Sequence, residues 1–266
     1  MRPIRLNETT VQTAATLAML AWSLLARTSS AAIAGVCVAL WFPASIRFCA
    51  GVLRWLPVAS GVRPHTTDRP THQHELVAGC LLVAACTLAL LINTTPQVAL
   101  ADAVALNLAN LLAQFERREG WLPNALLMPL LLCGLLAGAA LGHAGSAIAG
   151  ASMGWVLGGV GLLGLSVRLR GNFVSGPDIL LLCACGAWVG LGGLLAFMLF
   201  AGGALLGVRA VRNQFHTPLV QAAHPAGTPP VWRYPTALPA ALGLSGVFVL
   251  TSSPALPHWL RLLLGG

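Results

Sequence analysis

The sequence predicts an all-α fold, a polytopic bundle of transmembrane helices, on three observations. The chain is 57% hydrophobic and only 8% charged, with a mean hydropathy of +0.80, whereas soluble domains carry about 25% charged residues. Apolar runs near the roughly 20 residues needed to cross hydrocarbon recur along nearly the whole length and leave no space for an ordinary soluble domain. All 15 basic residues are arginine, and they fall mainly in the short connections between those runs.

Residues 1–30 read as a separate N-terminal segment. Its apolar run, 11–26, follows Arg2 and Arg5 and precedes Ser29, Ser30, Ala31 and Ala32, so a signal-like segment and an extra membrane helix both fit. The membrane domain then extends over 31–253. Its first run, 31–56, leads through Arg54 and Pro57 into a polar loop, 62–75. Runs 76–92 and 97–115 form a helical hairpin around Asn93, Thr94, Thr95 and Pro96, residues with turn chemistry.

The second arm of that hairpin ends at Glu116, Arg117, Arg118, Glu119 and Gly120. Trp121 and Pro123 then mark an interface and a new helix start. Runs 125–142 and 145–167 follow, then 178–190 and 193–209 with a break at Gly190, Gly192 and Gly193, and finally 235–253. The expectation is about eight spans plus the uncertain first one. The tail, 254–266, is short and lies along the outer interface through Trp259. No internal repeat of the inverted-transporter kind is evident.

Alternating these runs puts thirteen arginines (2, 5, 47, 54, 63, 69, 117, 118, 168, 170, 209, 212 and 233) on one side and only Arg27 and Arg261 on the other. That asymmetry follows the positive-inside rule and makes the first side cytoplasmic. It also accounts for the net charge of +8 without a nucleic-acid partner, for which the chain has no basic domain. The lipid bilayer is the expected surrounding. The 7 cysteines lie within apolar segments and form no CxxC pair, so they read as packing residues.

Of the 7 acids, Glu116, Glu119 and Asp178 fall at the same cytoplasmic face. A carboxylate entering a bilayer is costly unless a cavity, a partner or a proton accommodates it, so Asp178 at a membrane mouth marks a functional site. Glu116 closes one helix and Asp178 opens another. If the two helices are neighbours, two carboxyls share a water, one ionised and one protonated, as in aspartic proteolysis. A plainer reading has Glu116 and Glu119 pairing with Arg117, Arg118 or lipid headgroups while Asp178 caps its own helix.

Residues 116–124, ERREGWLPN, resemble the DxRxxxIPN stretch of the type IV prepilin peptidases, with Arg118, Pro123 and Asn124 in register. From Asp178 onward, DILLLCACGAWVG is similar to that family's GxGDxKLLAxxGAWxG segment, matching at Asp178, Leu181, Leu182, Gly186, Ala187, Trp188 and Gly190. Gly176 lies just before the aspartate. Arg54, Leu56 and Pro57 resemble the RLP that ends the family's first helix, and 234–243, YPTALPAALG, resembles its PYGxAxAAG segment.

The resemblance implies a membrane aspartic endopeptidase of the bacterial inner membrane. Such an enzyme uses Asp178 and Glu116 to trim the basic leader of prepilins or pseudopilins at the cytoplasmic face, in type IV pilus or protein-secretion systems. The chain departs from the family in four places: Glu116 stands for aspartate, Ser175 and Pro177 for two glycines, and Leu180 for lysine. It also has no large insert with paired CxxC motifs, so no methyl-donor cofactor and no metal are expected. The departures keep a second reading open, in which a degenerate member holds a pilin-like partner without cutting it.

Three other patterns are weaker. Gly159, Gly161 and Gly164 spell GxGxxG inside an apolar run with no strand before it, so helix packing is expected there rather than a dinucleotide. Gly154 with Gly158 and Gly186 with Gly190 are spaced as small-xxx-small helix contacts. His72 and His74 meet no metal-ligand spacing. Asn107, Asn110 and Gln114 line a solute path if the chain is a transporter, a third class that any polytopic chain allows.

Overall fold

The computed structural model describes residues 31–60, 71–162, 164, 167, 175–215 and 236–252. Expectations for 1–30, 168–174, Tyr234 and the 254–266 tail lie outside the described residues. Among the described residues every regular element is helical: α1 (Ala31–Ala59), α2 (Thr71–Asn93), α3 (Pro96–Glu119), α4 (Asn124–Ala140), α5 (Ala144–Val156, continued by a π-helical turn, Leu157–Leu162), α6 (Gly176–Phe215) and α7 (Ala237–Ser252).

The apolar helices point to a multi-pass membrane protein. By length and composition, four stretches among the described residues are long and apolar enough to cross a membrane: Ala34–Ala59, His74–Asn93, Pro96–Glu119 and Gly176–Gly207. That does not reach the expected eight. Asn124–Ala140 and Ala237–Ser252 are shorter, and runs 178–190 and 193–209 are joined in one element, α6.

α3 is the buried axis. It packs against α1, α2, α4 and α7, and Ala109, Asn110, Leu111, Leu112, Ala113, Gln114 and Phe115 are all buried in succession, so its last turns have no lipid-facing stripe. Pro96 opens it at a position where the missing N–H costs nothing. Gly120 ends it in the left-handed region (φ 74°), donating its N–H to Glu116 O at 2.8 Å. Trp121 then turns back edge-on to Phe115, with ring centroids 5.0 Å apart.

The α5–α6 contact is a glycine seam. A Cβ on Gly150 would collide with the Gly186 carbonyl and one on Gly186 with the Gly150 carbonyl, while a Cβ on Gly154 would run into Leu182 O and one on Gly158 would come within 3.1 Å of Ile179 Cα. The expected packing role therefore falls on 150, 154, 158 and 186. At Gly159, Gly161 and Gly164 an added Cβ would meet nothing within 4 Å among the described residues, so the packing expected of the GxGxxG stretch is not found among them. The π-helical turn over Leu157–Leu162 shifts the helix phase after Gly158.

Gly190 breaks α6, with φ 65° and ψ −179°, as the glycine-rich stretch implies, although Gly192 and Gly193 remain helical. The Ser146 hydroxyl accepts the N–H of Leu191 at 3.3 Å. Gly243 sits only about 10 Å along α7 from Thr236 at 1.5 Å rise per residue, yet it meets Phe197 and Ala201. Since Thr236 touches Asp178, a straight α6 would carry Phe197 nearly 30 Å beyond that level. The second arm of α6 therefore turns back at Gly190 and runs beside α7.

Two further expectations change. The polar loop ends before Thr71, because Thr71–Asn93 is one helix whose first turn is polar. Asn107, Asn110 and Gln114 are pinned to neighbours rather than lining a path: the Ser45 hydroxyl donates to Asn107 Oδ1 at 2.5 Å, Asn110 Nδ2 reaches Cys80 Sγ at 3.8 Å, and Gln114 Nε2 donates to Glu75 O at 3.1 Å. Gly79 makes room for the last two.

Candidate functional site

Three helix ends meet where α3 stops, α6 starts and α7 starts. Ser175 precedes α6 as its N-cap, its carbonyl accepting the N–H groups of Asp178 and Ile179. The Asp178 carboxylate reaches back, and Oδ2 accepts both the Ser175 N–H and the Ser175 hydroxyl at 2.7 Å. This is the return half of a capping box, the acid three residues past the cap accepting the cap's own N–H. Pro177 sits in the first turn, where its missing N–H would have had no intrahelical partner. The capping expected of Asp178 is therefore present, and it uses one carboxylate oxygen. The residue is 8% exposed.

Glu116 lies in the last turn of α3 and bonds to α7, not to Arg117 or Arg118, in the contacts described. Its Oε1 accepts the N–H of Thr236 at 3.0 Å and its Oε2 accepts the N–H of Ala237 at 2.8 Å. A carboxylate at a helix C-terminus is unfavourably placed in that helix's own dipole. Here it is compensated by capping the N-terminus of another helix, where two orphan donors need an acceptor.

The two acids are joined through Thr236. Its hydroxyl lies 2.6 Å from Asp178 Oδ1, to which it donates, and 3.3 Å from Glu116 Oε1. The two carboxyl oxygens are thus no farther apart than those legs laid end to end. Where the sequence suggested a shared water, a protein hydroxyl holds the middle position. The reason is local. Thr236 caps α7, with Ala240 donating to its carbonyl at 3.1 Å, while Pro239, the third residue past the cap, offers the threonine side chain no N–H. The hydroxyl is left free to reach across to α6.

The other expected site residues are scattered around this junction. Arg118 is half-buried in the last turn of α3; Pro123 is buried and caps α4, its carbonyl accepting the N–H groups of Leu126 and Leu127; Asn124 and Gly176 are exposed first residues of α4 and α6. Gly186 lies about 12 Å along α6 from Asp178, in the glycine seam and away from the acids. Glu119 is buried one turn beyond Glu116. Arg117 forms an ion pair with Glu75 at 2.7 Å, tying the start of α2 to the end of α3. Trp188, in the GAW stretch, donates its indole N–H to Leu130 O at 2.8 Å across the space left by Gly134.

Among the described residues, no group of three or more His, Cys, Asp or Glu side chains could hold a metal ion. No protein-family model, curated protein or solved structure matches the chain. Sequence reasoning missed Thr236 altogether. It lies inside the 234–243 stretch that resembles PYGxAxAAG, two positions before Leu238–Pro239 at the head of an apolar run, an N-cap pattern that carries no hint of a second partner.

Proposed function

We propose that the chain is a membrane-embedded aspartic endopeptidase that removes the basic leader of prepilin- or pseudopilin-like proteins at the cytoplasmic face of a bacterial inner membrane. The observation that carries this reading is the convergence of Glu116 and Asp178 on one hydroxyl at the junction of three helix ends. The ERREGWLPN and DILLLCACGAWVG stretches support it, since they are the two that bring these acids to the junction. In this topology the α6 arms before and after Gly190 count as two crossings, which with the other described helices gives about eight.

The chemistry needs one carboxylate and one carboxylic acid. The carboxylate takes a proton from water as the water oxygen attacks the scissile carbonyl carbon, and the acid gives its proton to the carbonyl oxygen. Collapse breaks the C–N bond, the amine leaves with a proton, and the pair is left as it began. A substrate with an apolar helix behind its basic leader can lie against the bundle in lipid while the scissile bond reaches the junction.

One specific observation favours the second reading, a degenerate member that holds a pilin-like partner without cutting it. All four carboxyl oxygens accept hydrogen bonds from the protein itself, three of them from backbone N–H groups, so the acids also serve as structural caps. The test separates the two. Purified full-length protein in detergent, given a peptide with a basic leader and an apolar segment, should release the leader, and Asp178→Asn should lower kcat about 10³-fold. Unchanged cleavage by Asp178→Asn would remove that residue from catalysis, and no cleavage by the wild type would leave the holding role.

A further inference from the structure

We propose that Thr236 is the positioning residue of the acid pair: its hydroxyl sets the distance and orientation between Asp178 and Glu116. The inference rests on the hydrolase reading of the junction and adds a residue that neither acid-bearing stretch contains.

The argument separates the two parts of one residue. The backbone N–H groups of Thr236 and Ala237 hold the Glu116 carboxyl with a donor on each oxygen, at 3.0 and 2.8 Å, and that clamp does not depend on the side chain. Among the described residues, Asp178 is held on its far oxygen by Ser175, through an N–H and a hydroxyl. Its near oxygen, Oδ1, is met by the Thr236 hydroxyl at 2.6 Å, and that same hydroxyl lies 3.3 Å from Glu116 Oε1. Among these contacts it is the one link between α6 and the clamped glutamate.

The extra methylene of Glu116 fits this arrangement. A longer arm from α3 reaches the N-terminus of α7, and the threonine bridges the remaining gap to Asp178. A reacting pair must be held within fractions of an ångström, so a single misplaced hydroxyl is felt in turnover more than in binding.

Thr236→Val keeps the β-branched shape and removes only the O–H, whereas Thr236→Ser keeps the hydroxyl and removes a methyl. With the full-length protein and the leader peptide, Thr236→Val should lower kcat about tenfold with KM within about twofold, and Thr236→Ser should stay within about threefold of wild type in both. Independently of cleavage, dicyclohexylcarbodiimide modifies carboxylic acids in apolar surroundings, and mass spectrometry reads its distribution between Glu116 and Asp178. Thr236→Val should shift that distribution and Thr236→Ser should not. If Thr236→Val matches wild type in kcat and labelling, or Thr236→Ser falls as far as Thr236→Val, the residue merely fills space and the proposal is overturned. If the wild type cuts nothing while Thr236→Val alone still shifts the labelling, the hydrolase reading falls and the bridge stands.

Discussion

The α5–α6 seam and the α3–α6–α7 junction solve the same problem, bringing helices together in lipid, by opposite means. In the seam, side chains are absent: Gly150, Gly154 and Gly186 let backbones touch, and contact area replaces a hydrophobic drive that lipid does not supply. In the junction, side chains carry the contact: a glutamate, an aspartate, a serine and a threonine satisfy helix ends that would otherwise bury unpaired N–H groups. The seam tolerates almost no added atom, and the junction tolerates almost no lost one. Asp178 belongs to a helix that has both, with one end in the junction and the following turns in the seam.

Four substitutions sharpen that contrast, one of them a control. The largest effect falls on the seam: Gly150→Leu drives a side chain into the Gly186 carbonyl and the Gly190 backbone, which lies 2.7 Å from an added Cβ, and should cost about 3 kcal/mol or more. Thermal melting in detergent should show little or no folded protein, while Gly159→Leu, where a Cβ meets nothing, should melt like wild type. In the junction, Glu116→Gln keeps the size but turns an amide toward backbone donors. A loss of about 2 kcal/mol is expected, read as a lower melting temperature. The smallest effect is at the seam's far end, where Ser146→Ala removes the acceptor for the Leu191 N–H and should cost about 1 kcal/mol. A silent Gly150→Leu would mean that the helices are not held backbone to backbone.

The sequence made the helices legible because apolar runs of membrane length have few alternatives, and it placed Glu116 and Asp178 at one end because each sits where a run meets a charged or glycine-rich boundary. The first turn of α2 was read as loop because Thr71, His72, Gln73, His74 and Glu75 are polar; its helicity does not depend on burying an apolar face. The glycine contacts were recognised by spacing at 154, 158, 186 and 190, but the partner glycine at 150 was not, and the neighbouring GxGxxG was credited with packing that it does not make among the described residues. Spacing along one helix does not say which face its neighbour occupies. Thr236 was invisible for a deeper reason: its partners are 58 and 120 positions away, and nothing local to a threonine announces a bond across three helix ends.

The turn at Gly190 has a consequence for the lipid. The arm that begins at Gly176 ends there after a rise of only about 20 Å, and α4 has just 17 residues, whereas hydrocarbon is about 30 Å thick. α1, α2 and α3 are long enough for an ordinary bilayer. If the first α6 arm and α4 each cross, as in the topology proposed above, the membrane around that short half would thin or pucker to meet the protein. In that topology a thinner bilayer beside Asp178, which opens the short arm, would bring water closer to an acid that belongs to a membrane helix.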